Sequence, residues 1–336
     1  MSELDQIAAS LSDIPDVSVE REAPAGPLCT YRAGGPISVL ARIETVDALT
    51  VVAALLAGTS QDEDLAVGES VPTLPIGKGS NLLVAENGFD GVGILLDGAE
   101  FSAISIDGFT ITAGAAAPLP LVARASVRHD LRGFEWAVGV PGTIGGGVRM
   151  NAGGHGSDMA ANLESVEIVD LRRGARQTLA ATSLELGYRT SNLRPYQIVT
   201  SATLRLDPAT SDESPDDTTL GEAALSDIVR WRRANQPGGQ NAGSVFTNPP
   251  NDSAGRLIDV AGLKGRRVGT AEVSTVHANF IQVDPNGSAD DVMALMREIV
   301  TSVEVASGIR LHAETRLVGF SDDDVAFVQA VPENEH

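Results

Sequence analysis

Three short segments of the chain carry groups able to do chemistry. From Asn241 to Asn248 it reads Asn-Ala-Gly-Ser-Val-Phe-Thr-Asn, followed by Pro249, so a serine stands between a glycine and an apolar pair. Gly243 lets the backbone approach a ligand closely and Pro249 stiffens the exit. Ser244 is then a fixed hydroxyl able to give a proton. Tyr188-Arg-Thr-Ser191 supplies a guanidinium, a fixed cation with five donors. Glu314-Thr-Arg316 supplies a carboxyl and a second guanidinium. Each has a plainer reading as well, an ordinary ion pair for Arg189 and an exposed acid for Glu314.

Two glycine-rich stretches could serve such groups. Gly77-Lys-Gly-Ser-Asn-Leu-Leu83 looks like a phosphate loop, but that loop needs a glycine five residues before its Gly-Lys pair. Position 72 is proline, and Gly79 stands where a hydroxyl residue should follow Lys78. The dinucleotide fingerprint also fails, with Leu82 and Met150 at the third glycine positions of the two stretches. An ATPase and a doubly wound dehydrogenase are thereby set aside. Successive small residues in Gly77–Asn81 and in Pro141-Gly-Thr-Ile-Gly-Gly-Gly147 still expose backbone N–H groups that can cradle a pyrophosphate, with Ser80 and Asn81 adding side-chain bonds. The alternative is a pair of tight turns.

Composition narrows the class. The 336 residues are 43% hydrophobic and 21% charged, an ordinary globular balance with room for two or three compact units. No apolar run approaches a membrane span, and the first residues do not read as a signal peptide. One cysteine, Cys29, excludes an internal disulfide and suits a reducing cytoplasm. No His/Cys cluster has metal spacing, so no structural metal is expected. The net charge of −21 should repel nucleic acid and anionic membranes. Arg230, Arg232, Arg233, Arg266 and Arg267 cluster on both sides of Ser244 and point to a negatively charged substrate.

The elements that must position these groups follow from periodicity and caps. Residues 1–20 look poorly patterned. Strands are expected at 37–43, 74–76, 94–96, 101–106, 109–113, 166–171, 177–179, 198–206 and 280–283, with a closing strand at 309–320. Asp107-Gly108 reads as a two-residue hairpin turn. Helices are expected from the Thr45 cap to 56, over 118–129, 225–233 and 254–261, and from the Ser288 cap to Gly308. The acidic stretches 61–70 and 207–219 read as a loop and a linker. Few strict strand–helix alternations argue α+β.

Taken together, the segments resemble the UDP-N-acetylenolpyruvoylglucosamine reductases (UDP-N-acetylmuramate dehydrogenases). The resemblance runs from about Thr30 to Phe320. It includes Thr30-x-x-x-Gly34-Gly35-Pro36, Gly77–Leu83, Gly139-Val-Pro-Gly142 through Asn151-Ala-Gly153, and Tyr188-Arg189-x-Ser191. It continues through Ala242-Gly-Ser244, Ala254-Gly-x-Leu-Ile258, Gly262-Leu-Lys-Gly265, His277-Ala-Asn-Phe280 and Glu314-x-Arg316. It implies a vanillyl-alcohol-oxidase-type (PCMH-like) two-part FAD-binding domain and a C-terminal α+β substrate domain. The expected bounds are 1–85 and 86–207 for the two FAD-binding subdomains, 208–219 for a linker, 220–310 for the substrate domain, and 311–336 for a closing strand and tail.

The resemblance further implies non-covalent FAD held by Gly77, Lys78, Gly79, Ser80, Asn81, Pro141, Gly142, Thr143, Ile144, Gly145, Gly146, Asn151 and Gly153. NADPH would be the hydride donor and a UDP-linked enolpyruvyl sugar the substrate. Arg189 and Glu314 match the residues that polarise the enolpyruvyl carboxylate, and Ser244 the acid that protonates carbon. Tyr188, Arg232, Asn248 and Arg316 match substrate-holding positions. The protein would be a cytoplasmic monomer of peptidoglycan precursor synthesis. Asn235 and Thr247 stand where many members have lysine, with Arg233 or Lys264 as possible replacements, and the threonine of Glu314-Thr-Arg316 stands where valine is usual. His155, Trp136 and Trp231 are read as structural, and His277 as a structural hydrogen-bonding residue. Two rivals remain: an alcohol- or sugar-oxidising flavoprotein of the same superfamily, and a catalytically silent nucleotide-sugar or flavin binder.

Overall fold

A computed structural model describes residues 2–58, 71–209 and 217–329. The chain divides into two compact units, neither continuous in sequence. The first comprises Met1–Arg21, Ser38–Lys78 and Gly91–Arg232, and the second Glu22–Ile37, Gly79–Asp90 and Arg233–His336. Residues 61–70, and 210–216 of the expected linker, lie outside the described residues.

The first unit is built on two sheets. A four-stranded sheet has the order Val17–Pro24, Pro36–Ile43, Phe89–Leu96, Thr73–Ile76, the last pair parallel. The helix Val46–Gly58 contributes Leu49, Val52 and Leu56 to the same buried cluster as Val39, Ile43 and Ile94. Thr45 caps that helix, its hydroxyl accepting from the Ala48 N–H at 3.1 Å. The second sheet is antiparallel and five-stranded: Ala175–Ala180, Leu163–Asp170, Gln197–Arg205, Thr110–Gly114, Ile104–Asp107. Beside it the helix Leu119–Arg128 buries Leu119, Val122 and Val127 in a second cluster with Ile111, Val166 and Ala202.

The second unit has its own core. The helix Ala289–Ser307 starts on the Ser288 hydroxyl and ends at Gly308, whose φ of 72° is the left-handed stop. Its apolar stripe, including Val292, Leu295, Met296, Ile299 and Val303, is buried, each side chain contributing roughly 1.5–3 kcal/mol over exposure. It packs with the three-stranded sheet Arg267–Val268, Ala271–Val273, Ile281–Val283.

The observed elements correct four of the expectations. Residues 3–12 form a helix closed by a capping box, the Ser2 hydroxyl accepting from the Asp5 N–H and the Asp5 carboxylate from the Ser2 N–H. Phe101 sits in the short helix Ala99–Ser102 with its ring fully buried, and the strand begins only at Ile104. The hairpin turns on Gly108-Phe109, since Asp107 pairs with Thr110 and Gly108 has φ 54°. The expected strand 309–320 is broken between partners: Ala313 bridges Phe246, and Arg316–Val318 lies parallel to Leu82–Val84. A helix over Asp322–Gln329 then follows, unanticipated.

Candidate active site

In the first unit, Tyr188 and Arg189 form the tip of a hairpin closed by Gly187 and Thr190, which exchange N–H···O bonds of 3.1 and 3.2 Å. Arg189 has φ 57°, a left-handed conformation that costs a non-glycine residue about 1–2 kcal/mol. The hairpin is held from below. Buried Asn151 donates to the Gly187 carbonyl at 2.9 Å and to Asp158 at 3.1 Å, and accepts from the Ala160 N–H at 2.9 Å. Ser191 donates to the Arg149 carbonyl at 2.7 Å. The Arg189 guanidinium reaches the Gly153 carbonyl at 3.3–3.4 Å. A cleft of about 390 Å³ opens here, with Asn151, Gly153, Gly154, Gly156, Tyr188 and Arg189 in its wall. Asn151, Gly153, Tyr188 and Arg189, separate in sequence, thus line one cavity.

The second unit assembles Ser244 and Glu314. Phe246 bridges Ala313, and the Glu314 N–H donates to the Val245 carbonyl at 2.8 Å. Asn279, buried, clamps the serine loop by accepting from the Phe246 N–H at 2.9 Å and donating to the Phe246 carbonyl at 2.8 Å. Asn81 clamps the other side, donating from its amide to the Glu314 carbonyl at 2.9 Å and accepting the Arg316 N–H at 3.0 Å. Asn248 uses its carbonyl on the Ala254 N–H at 3.0 Å, which leaves its amide donors on an exposed residue. The role of Asn279 was not assigned from sequence, although the His277–Phe280 motif contains it.

Three of the five arginines that flank Ser244 are held in ion pairs. Arg230 pairs with Asp227, Arg266 with Glu298, and Arg267 with both Glu272 and Asp284, while Lys264 pairs with Asp259. Sequence cannot show this, because most of those carboxylates come from other elements. Arg232 and Arg316 differ: no carboxylate pairs with either among the described residues. Burial lowers the pKa of both guanidinium groups. Arg316 still touches water, so it is crowded by protein without being sealed off. Each is a partly desolvated cation available to an anion.

The loops expected to hold FAD are placed in two parts. Gly77, Lys78 and Pro141–Gly146 belong to the first unit, and Gly79, Ser80 and Asn81 to the second. Thr143, buried, faces Gly77, where a Cβ would come 2.8 Å from its hydroxyl oxygen. Ile144 is buried at the start of the short helix Ile144–Arg149, and Gly145 packs against Ala115.

Known proteins decide the family. The FAD binding domain model matches residues 64–180, and the model for the C-terminal domain of UDP-N-acetylenolpyruvoylglucosamine reductase matches residues 235–318. UDP-N-acetylenolpyruvoylglucosamine reductase 2 of Symbiobacterium thermophilum is 38% identical over 303 residues, 90% of this chain and 92% of that protein. The chain belongs to the UDP-N-acetylenolpyruvoylglucosamine reductase family. The reductase of Parasynechococcus marenigrum is 36% identical, covering 91% of this chain and 98% of its own. The crystal structure of the Thermus caldophilus reductase superposes with a TM-score of 0.74 at 34% identity, covering 90% of this chain and 99% of that one. The fold is α+β with the two-part FAD-binding domain expected of this reductase family.

The residues present suit FAD. The N–H groups of Gly79 and Ser80 meet no backbone carbonyl among the described residues, and Gly79 is buried. Orphaned N–H groups on small residues are what a pyrophosphate requires. Lys78 is exposed beside them in sequence, with no ion pair among the described residues.

Proposed function

We propose that this reductase-family enzyme converts UDP-N-acetylenolpyruvoylglucosamine to UDP-N-acetylmuramate through Arg189, Ser244 and Glu314, with NADPH as electron source. FAD, held without a covalent tether by Gly77–Asn81, Pro141–Gly146, Asn151 and Gly153, would supply the hydride chemistry that links NADPH to the enolpyruvyl group. The remaining chemistry falls to the chain. Hydride added to the terminal carbon leaves negative charge on the adjoining carbon and its carboxylate. Arg189 stabilises that charge, held by Asn151 and Gly153 in a conformation an arginine does not adopt for its own stability. Glu314, protonated or sharing a proton, polarises the same carboxylate. Ser244 gives a proton to the carbon and regains one from solvent.

Arg232 and Arg316 take the substrate's anionic groups, as do the free amide donors of Asn248 and the Tyr188 hydroxyl. Gly77–Asn81, Pro141–Gly146, Asn151 and Gly153 take the cofactor. In this reading residues 1–85 and 86–207 carry FAD, 208–219 connect, 220–310 carry substrate, and 311–336 close the fold. The enzyme works as a cytoplasmic monomer in peptidoglycan precursor synthesis, without nucleic-acid or membrane partners. Its net charge of −21 favours that. No helix among the described residues is long and apolar enough to cross a membrane.

The observation that carries the proposal is the Val245–Glu314 hydrogen bond, which fixes the proton donor's loop to the segment bearing the second polarising residue. The test is an anaerobic spectrum of the FAD-loaded protein, bleached with NADPH and then mixed with UDP-N-acetylenolpyruvoylglucosamine. Return of oxidised flavin is expected. Bleaching reversed only by oxygen would remove the substrate from the proposal.

A further inference from the structure

His155 and Trp231, read from sequence as structural, are both exposed. Trp231 leaves 48% of its surface open, and its indole meets the His155 ring edge to face, centroids 5.1 Å apart at 86°. His155 sits between two residues of the cleft wall, Gly154 and Gly156, with φ 52°, so its position is held at a cost. Tyr188, which lies in the cleft wall itself, is 62% exposed.

The cleft wall next to His155 is bare. A Cβ built on Gly154 would meet nothing within 4 Å, and its φ is not positive, so neither packing nor backbone conformation accounts for this glycine. The open space over this strand glycine leaves room for close approach by a ligand. Charge is supplied alongside. Arg189 lines the cleft, and the Arg232 guanidinium lies near enough to lower the His155 pKa, an effect second to burial. Both terms favour a neutral imidazole, which stacks without repelling the adjacent cations.

We propose that Trp231, braced by His155, is a stacking subsite for the planar heteroaromatic ring of a nucleotide ligand, whose phosphates lie toward Arg232. Exposed aromatic faces beside guanidinium groups match the two halves of a nucleotide, base and phosphate. The inference rests on the reading above that the ligands are nucleotides. The ring is then the uracil of the substrate or one of the two ring systems of NADPH.

The FAD-loaded enzyme contains two tryptophans, Trp136 buried and Trp231 half exposed, so the difference in intrinsic fluorescence between wild type and Trp231→Phe reports on Trp231. UDP and NADP+ are titrated separately into wild type and Trp231→Phe, with inorganic pyrophosphate as the ringless control. Quenching of wild type by one or both nucleotides but not by pyrophosphate is expected, and its loss in Trp231→Phe. Quenching by UDP assigns the uracil, and by NADP+ a ring of the dinucleotide. In Trp231→Ala the affinity for that nucleotide falls roughly ten- to hundredfold, while pyrophosphate affinity holds. KM for the same ligand rises in Trp231→Ala with kcat little changed. No quenching by either nucleotide overturns the subsite, as does loss of FAD from Trp231→Phe and Trp231→Ala, which would give the platform to the cofactor. A wild-type enzyme without reductase turnover would refute the proposed reaction but leave the fluorescence result standing.

Discussion

The Glu314 N–H donates to the Val245 carbonyl at 2.8 Å, one step along the antiparallel bridge that pairs Phe246 with Ala313. Ser244 is the next residue of that loop, so donor and carboxyl are carried by two segments that cannot slide past each other without breaking the bridge. Asn279 ties down the first segment and Asn81 the second. A serine hydroxyl is a weak acid, and a weak acid contributes to catalysis only where its geometry is fixed before the reaction.

Replacing Ser244 with Ala removes the proton donor but none of these clamps, all of which use neighbouring backbone or Asn side chains. Flavin reduction by NADPH should stay within about twofold of wild type, whereas reoxidation by substrate should slow roughly 10²–10⁴-fold. Anaerobic stopped-flow measurement of each half-reaction separates the two. Equal slowing of both would remove Ser244 from the protonation step.

Arg189 offers a test of strain against function. Its φ of 57° costs about 1–2 kcal/mol that glycine would not pay. Arg189→Gly should therefore hold its stability, or gain up to about 1 kcal/mol after the lost Gly153 hydrogen bonds are counted, while substrate-dependent reoxidation collapses. Urea unfolding alongside turnover checks it. A variant both less stable and still active would show that the arginine is there for the fold.

What the sequence made legible was local. The Ser288 cap, the Gly308 stop and the apolar stripe between them specify one helix from within a single segment. So did the turn chemistry near Gly108, although the paired register is set one residue later by Asp107 and Thr110. What it hid was non-local. Arg266 and Arg267 looked available because Glu298 and Asp284 are supplied by other elements. The segment 309–320 looked like one strand because its pattern is extended, yet two different partners claim its two ends. The Ser244–Glu314 association was legible only as a pair of motifs; the bridge joining them crosses 67 positions and leaves no periodic trace. Ser2-x-x-Asp5 did leave a signal, a capping box ahead of Ile7 and Leu11, in a stretch whose apolar pattern is otherwise weak.

The Gly79 position should resist any side chain. Its φ is 56°, and a Cβ would fall 2.2 Å from the Leu28 carbonyl oxygen and 2.5 Å from the Cys29 Cα, backbone atoms that cannot swing aside. Gly79→Ala should lose roughly 2–4 kcal/mol and purify with much less FAD, since the loop's N–H groups must move. Gly58→Ala is the control, because nothing lies within 4 Å of its built Cβ and its φ is not positive. Chemical unfolding and the flavin-to-protein absorbance ratio report both effects. Full flavin occupancy in Gly79→Ala would take this loop out of cofactor binding.

Acid should loosen the serine loop before it unfolds the carboxylate-dependent parts. Burial lowers the pKa of His277 below its ordinary 6.5, with the Lys264 charge adding to it, and burial then Arg232 do the same for His155. The unfolded chain therefore binds more protons below pH 6.5, so stability contributed by these two groups is present above 6.5 and declines as pH falls toward their folded values. Asp5, Asp291 and Asp252 are shifted down from 3.8, led by hydrogen bonds from Ser2, Thr270 and Arg256 respectively, and Asp252 reaches about 2. Their contribution is lost only below about 3.8, as pH falls through those lowered values. Protonation of His277 has a specific consequence, because its Nδ1 accepts the Asn279 N–H at 3.2 Å, and Asn279 holds Phe246. Urea midpoints from pH 7.5 down to 3 should thus show two separate declines, with His277→Gln and His155→Gln flattening the upper one alone. Amide exchange at Phe246 should quicken across the upper decline in wild type. Exchange that stays unchanged there, with the midpoint falling, would uncouple His277 from the catalytic loop.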